Sequence, residues 1–315
     1  MTTSDTRQLQ TTAHLLMIRP VHFAFNAETA VNNAFQQAGN DNGIQEKAVA
    51  EFDAFVALLQ QNGVDITVIN DTQEPHTPDS IFPNNWVSFH HNGTVVLYPM
   101  YAANRRLERK PGVLSAIREK FVTDNTIDLS GNEKEGVFLE GTGSMVLDRV
   151  NKIAYACLSP RTDYFVLTAF CEQMGYTPEV FDAIDQNGQA IYHTNVMMCV
   201  ADQYVVICLD AIAAEHEKEQ VSATIQKTGK AMIPISYSQM NQFAGNMLQV
   251  SNDKGELLLV MSSQAFASLQ KNQVEQLSQY NRIIHSALTT IETNGGGSAR
   301  CMMAEVHLPL KPGYH

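Results

Sequence analysis

No stretch of this chain is apolar for long enough to span a membrane, which takes roughly 20 consecutive apolar residues. The first residues, Met1–Gln10, are polar and lack the apolar segment of a secretory leader. These absences predict no membrane partner and a cytoplasmic location. Positive charge is scarce too: Lys and Arg number 21 against 33 acidic residues, a net charge of −12, which argues against nucleic acid as a partner. Cysteine is sparse and odd in number. Cys157, Cys171, Cys199, Cys208 and Cys301 include no C-x-x-C pair, so reduced thiols are expected. With no H-x-H spacing either, neither zinc nor any other cofactor is implied. No Pro/Ser-rich linker, low-complexity tract or like-charge run marks a boundary. Residues 1–315 are therefore expected to form one domain, and 44% hydrophobic composition can fill its core.

What is present is a repeat. Paired apolar runs recur along the chain: Ile81–Phe89 with Thr94–Tyr98, Gly136–Leu147 with Lys152–Leu158, Ile191–Val200 with Tyr204–Leu209, and Ala244–Val250 with Glu256–Met261. Cys301–Leu308 has no partner after it, and His14–Arg19 has none before it, so these two are expected to pair and complete a fifth unit. Helical patterns follow the pairs at Lys47–Gln61, Gly112–Phe121, Thr162–Met174, Glu215–Lys227 and Val274–Ile291. Several end at a glycine, a left-handed helix stop, before a further short strand. Each unit thus reads strand pair, helix, strand. No such unit can bury its apolar face alone, whereas a ring of five can. The expected fold is an α/β propeller with five-fold pseudo-symmetry and a central site.

Polar residues interrupt the strand starts at equivalent places. They are Asp79 with Asn84 and Asn85, Glu140 in Glu140-Gly141-Thr142-Gly143, His193 with Asn195, and Cys301 after Gly295-Gly296-Gly297. Each has an ordinary explanation taken singly: a turn asparagine, a loop carboxylate, a core histidine, a buried thiol. Their coincidence at one repeat position is harder to explain that way. A cysteine, a histidine and a carboxylate converging on one axis supply a nucleophile, a proton shuttle and an orienting group.

With these motifs in this order, the chain resembles the pentein superfamily over nearly its whole length. That group holds arginine deiminases, dimethylarginine dimethylaminohydrolases, succinylarginine dihydrolases and amidinotransferases. The resemblance implies Cys301 as nucleophile, His193 as general acid/base and Glu140 as its orienting partner. It implies Asp79, Asn84, Asn85, Asn195, Arg105, Arg106 and Arg161 as substrate-binding residues, and a small amino-acid substrate. Asn85 and Asn195 stand where guanidine-modifying members commonly present acids, and Asn84 where they often do. A neutral pocket suits a ureido group, so the pattern is similar to the citrulline-utilising hydrolase branch. The alternatives are hydrolysis of arginine, methylarginine or acylarginine, amidino transfer, or a pentein that only binds. Homo-oligomerisation is left open.

Overall fold

A computed structural model describes residues 9–38 and 43–314. The polar stretch Met1–Gln10 lies outside the described residues except for Leu9 and Gln10. Among the described residues, fifteen strands form five sheets of three, and all five share one plan. An inner strand pairs antiparallel with a middle strand, and the middle strand pairs parallel with an outer one. In sequence order, the inner, middle and outer strands of four units are Val87–Phe89, Thr94–Leu97 and Asn125–Asp128; Val146–Asp148, Ile153–Cys157 and Thr177–Phe181; Met198–Val200, Tyr204–Ile207 and Ala231–Pro234; Leu248–Ser251, Leu257–Ser262 and Arg282–Ser286. The fifth is built from both ends of the chain. Its inner strand Ala304–Glu305 lies antiparallel to His14–Arg19, with Leu15 opposite Glu305 and Leu16 opposite Ala304, and Asp65–Asn70 is its outer strand. The expected pairing of the chain ends and the five-fold pentein arrangement are both present.

A parallel pair needs a long crossover, and a helix supplies it in every unit. Helix Tyr164–Met174 shows how locally this is encoded. The Asp163 carboxylate accepts from the Phe165 and Val166 amides at its start, and Gly175 stops it at φ 70°. Helix Ile44–Gln61 buries Ala48, Phe52, Phe55, Val56 and Leu59 on one face. Each of the larger side chains contributes about 1.5–3 kcal/mol by that burial. All five cysteines are buried and unbridged. No helix among the described residues is long and apolar enough to cross a membrane.

Two expected elements differ. The helical pattern at Val274–Ile291 is really a helix Lys271–Ser278, the strand Arg282–Ser286 and a helix Thr289–Gly295. The Asn281 amide bonds back to the Leu277 carbonyl at 2.8 Å, ending the first helix, and the fourth sheet claims the next residues as its parallel outer strand. The Cys301–Leu308 strand begins instead with a helical turn, Ala299–Met302, and only Ala304–Glu305 pair. Cys301 therefore sits on a turn, not within a strand. The same substitution of turn for strand start recurs at Pro83–Asn85, Gly141–Ser144 and Thr194–Val196.

Candidate active site

These turns precede the inner strands and deliver the polar residues to one place. Glu140 and His193 are the residues that open their turns, and Cys301 lies within its own. The approach is too close for side chains at every position. A Cβ on Gly143 would lie 2.4 Å from Asn85 Nδ2 and 2.7 Å from His193 Nδ1. A Cβ on Gly297 would lie 2.9 Å from the Phe82 ring, so the glycine run allows the Cys301 loop to pack flat against that ring.

His193 Nε2 lies 2.8 Å from Glu140 Oε2. The other Glu140 oxygen accepts the Tyr101 amide at 2.9 Å, and Arg161 Nη1 stands 3.5 Å from Oε2. Burial alone would raise the Glu140 pKa, but Arg161 and the His193 bond hold it well below the ordinary carboxylate range. His193 goes down too, to about 4: burial disfavours its cation more than Glu140 favours it, and Arg161 and Arg105 add repulsion. The two shifts are compatible because Arg161, not an imidazolium, is the chief counter-charge of Glu140. With Glu140 ionised and His193 neutral, Nε2 carries the proton and donates, which leaves Nδ1 free to accept one.

Cys301 is 3% exposed and faces two carboxamides. Asn195 Nδ2 lies 3.5 Å and Asn246 Nδ2 3.3 Å from its sulfur. Asn246 Nδ2 also donates to the Asn195 carbonyl at 2.9 Å, and its Oδ1 accepts the Arg300 amide at 3.1 Å. Asn246 is absent from the residues singled out in the sequence. It precedes the fourth inner strand, the one unit that had supplied no candidate, and that repeat position was the available signal.

Cys301, His193, Asn85, Asp79, Arg105 and Arg161 line one narrow cavity with Phe82 and Tyr192. Asp79 Oδ2 accepts from Asn26 Nδ2 at 2.8 Å and Thr29 Oγ1 at 3.1 Å. Its Oδ1 has no partner among the described residues, and burial raises its pKa. Arg105 forks onto Glu108, with Nε 2.8 Å from Oε1 and Nη2 3.0 Å from Oε2, and its Nη1 donates to Asn85 Oδ1 at 2.8 Å. Burial pushes the Glu108 carboxyl up to about 7 against the pull of Arg105. Asn85 Nδ2 has no partner among the described residues. Arg161 Nε binds Asn32 Oδ1 at 2.8 Å and its Nη2 binds the Thr29 carbonyl at 2.7 Å, so it ties down the segment that roofs the cavity.

Two expected residues are not brought in. Arg106 points away, its Nε on the Met100 carbonyl at 3.0 Å and its charge toward Glu133 at 3.7 Å. Successive helical residues are rotated by about 100°, so only one of two adjacent arginines can face the axis. Asn84 is fully buried beside the cavity lining, with Nδ2 3.3 Å from the Thr142 hydroxyl.

A ring of five strand-pair units around a cysteine, a histidine and a glutamate defines a pentein with the groups for covalent hydrolysis at carbon–nitrogen bonds. Over residues 19–308 the chain matches the family model for eukaryotic N,N dimethylarginine dimethylhydrolase, and it belongs to that family, whose hydrolases act on amidino compounds. No curated protein matches it. Among solved structures, it is similar to ArgZ, an arginine dihydrolase from the ornithine–ammonia cycle in cyanobacteria, at 19% identity and TM-score 0.74 over 96% of this chain. The match covers 42% of that protein, so this chain spans about two fifths of its length. The N-terminal domain of ArgZ bound to product is 18% identical with TM-score 0.73, covering 95% of this chain and 99% of that one. A dimethylarginine dimethylaminohydrolase carrying an S-methyl-L-thiocitrulline adduct is 15% identical with TM-score 0.65, covering 94% and 99%. At these identities the likenesses concern the fold.

Proposed function

We propose that this protein hydrolyses a ureido amino acid, with citrulline the best candidate, to ornithine, ammonia and carbon dioxide. The observation that carries this reading is the neutral surround of Cys301: Asn195 and Asn246 present amide N–H groups to the sulfur, and Asn85 presents an unpartnered one to the cavity. Amide donors suit the carbonyl oxygen of a ureido group and the negative charge that oxygen gains on attack. They offer nothing charge-assisted to a guanidinium.

In this mechanism neutral His193 takes the Cys301 proton, and the thiolate attacks the ureido carbon. The tetrahedral adduct collapses as His193 returns a proton to the departing ornithine nitrogen, leaving an S-carbamoyl thioester on Cys301. Water activated by the same imidazole then hydrolyses that ester. The carbamate so released breaks down to ammonia and carbon dioxide. Glu140 fixes the imidazole tautomer, and Arg105 and Arg161 supply positive charge for the substrate carboxylate.

A second reading, hydrolysis of arginine or methylarginine, is favoured by the family match and by Asp79, whose free Oδ1 faces the same cavity. Ammonia release from citrulline, arginine and dimethylarginine, measured side by side, separates the two readings.

A further inference from the structure

The inner strands Val146–Asp148, Met198–Val200, Leu248–Ser251 and Ala304–Glu305 all contribute to a second buried polar cluster. It surrounds a cavity of about 20 Å³ whose lining includes Gln10, Arg149, Gln249, Arg300 and Glu305. Arg149 is 1% exposed, and among the described residues its Nε and Nη1 have no hydrogen-bond partner. The nearest carboxylate oxygen, Glu305 Oε1, is 3.5 Å from Nε. Glu305 is already committed elsewhere: Oε2 accepts from Arg300 Nη2 at 2.8 Å, and Oε1 lies 3.3 Å from His307 Nε2. Two guanidiniums thus share one carboxylate.

Among the described residues, no carboxylate besides Glu305 pairs with Arg149. Burial keeps the Tyr98 phenol protonated. His90, His91 and His307 are held neutral by burial and by the Arg149 charge itself, and Lys152 adds a further positive group. The carboxamide oxygens of the wall are spent as well. Gln10 Oε1 accepts the Arg149 amide at 2.8 Å, and Gln249 Oε1 accepts the Asp202 amide at 2.8 Å. Arg149 therefore keeps only a long, shared ion pair with Glu305, and a buried charge so incompletely paired is unfavourable.

We infer that this cavity holds a small inorganic monoanion, of halide or bicarbonate size, on Arg149. A water needs roughly 10–15 Å³ of such space, so the cavity admits one ion and excludes larger anions. The site bears on the reaction centre through Arg300, which is adjacent to Cys301 and donates its amide to Asn246. An anion that relieves Arg149 leaves Glu305 to Arg300 and steadies the turn that carries the cysteine.

The test is thermal unfolding of the whole chain at constant ionic strength in bromide, chloride or bicarbonate against gluconate. We expect a saturable rise of roughly 5 °C in the small anions relative to gluconate, from ligand linkage at about a hundred times Kd. Arg149→Met should abolish the difference. Because that variant could fail to fold, crystals of the unaltered protein grown in bromide give the second reading, with an anomalous bromide peak expected beside Arg149. Equal midpoints in bromide and gluconate overturn the inference. So does water alone at Arg149, even if the midpoints differ.

Discussion

The two sides of the central cavity handle charge differently. On one side the charges are paired within the protein: Glu140 with Arg161 and His193, and Arg105 with Glu108 and, at 4.0 Å, with Asp79. On the other, Cys301 sits against Asn195 and Asn246, which carry no formal charge at all. The paired side fixes the orientation of an imidazole that burial keeps neutral. The carboxamide side presents amide N–H groups to the Cys301 sulfur. The contrast teaches that charge here holds the machinery, and in the proposed reaction recognition of the reacting group falls to amides.

Removing the nucleophile should have the largest effect. Cys301→Ser is expected to lower kcat to below about a thousandth, with an unchanged melting temperature, because a hydroxyl lacks the thiolate's nucleophilicity. A variant that retained a tenth of wild-type kcat would contradict covalent catalysis by this residue.

The charged side is tested next. His193→Gln should cost two to four decades in kcat/KM, the usual range for a general acid/base. The unaltered histidine should titrate near 4 when followed by NMR, since burial outweighs Glu140. It therefore stays neutral as the pH falls through 6.5 and gains its proton only well below. Titration above 6.5 would mean that the ion pair with Glu140 wins, and that His193 begins the cycle as an acid.

On the carboxamide side, Asn246→Ala should slow alkylation of Cys301 by iodoacetamide roughly tenfold or more at fixed pH. Each hydrogen bond to a charged group contributes roughly 1.5–3 kcal/mol. An unchanged alkylation rate with normal folding would reduce Asn246 to a packing role.

Much of the ring was legible because its cause is local. Alternating apolar runs, capped helices and glycine stops recur at a regular spacing, so the unit can be read five times. The strand Arg282–Ser286 was hidden because Val274 and Leu277 begin a true helix, and only its parallel partner Leu257–Ser262 shows where the pattern changes. In the site, Cys301, His193 and Glu140 stood out by chemical type. Asn246 did not, since an asparagine after Gly245 reads as an ordinary turn. The cavity roof was less visible still. Thr29, Asn32 and Asn33 lie in a segment without periodicity, and Arg161 is 129 residues from its partner Asn32. Arg105 and Arg106 could not be told apart by sequence because their difference is a rotation about a short helix.

The division between the two sides stands or falls on substrate charge. The most direct measurement is kcat/KM for citrulline and for arginine, on the unaltered protein and on Asn85→Asp. We expect citrulline to be preferred by the unaltered protein. The added carboxylate should move the ratio toward arginine by roughly tenfold, the equivalent of one charge-assisted bond. Efficient hydrolysis of arginine without citrulline turnover, and a ratio indifferent to Asn85→Asp, would contradict the account.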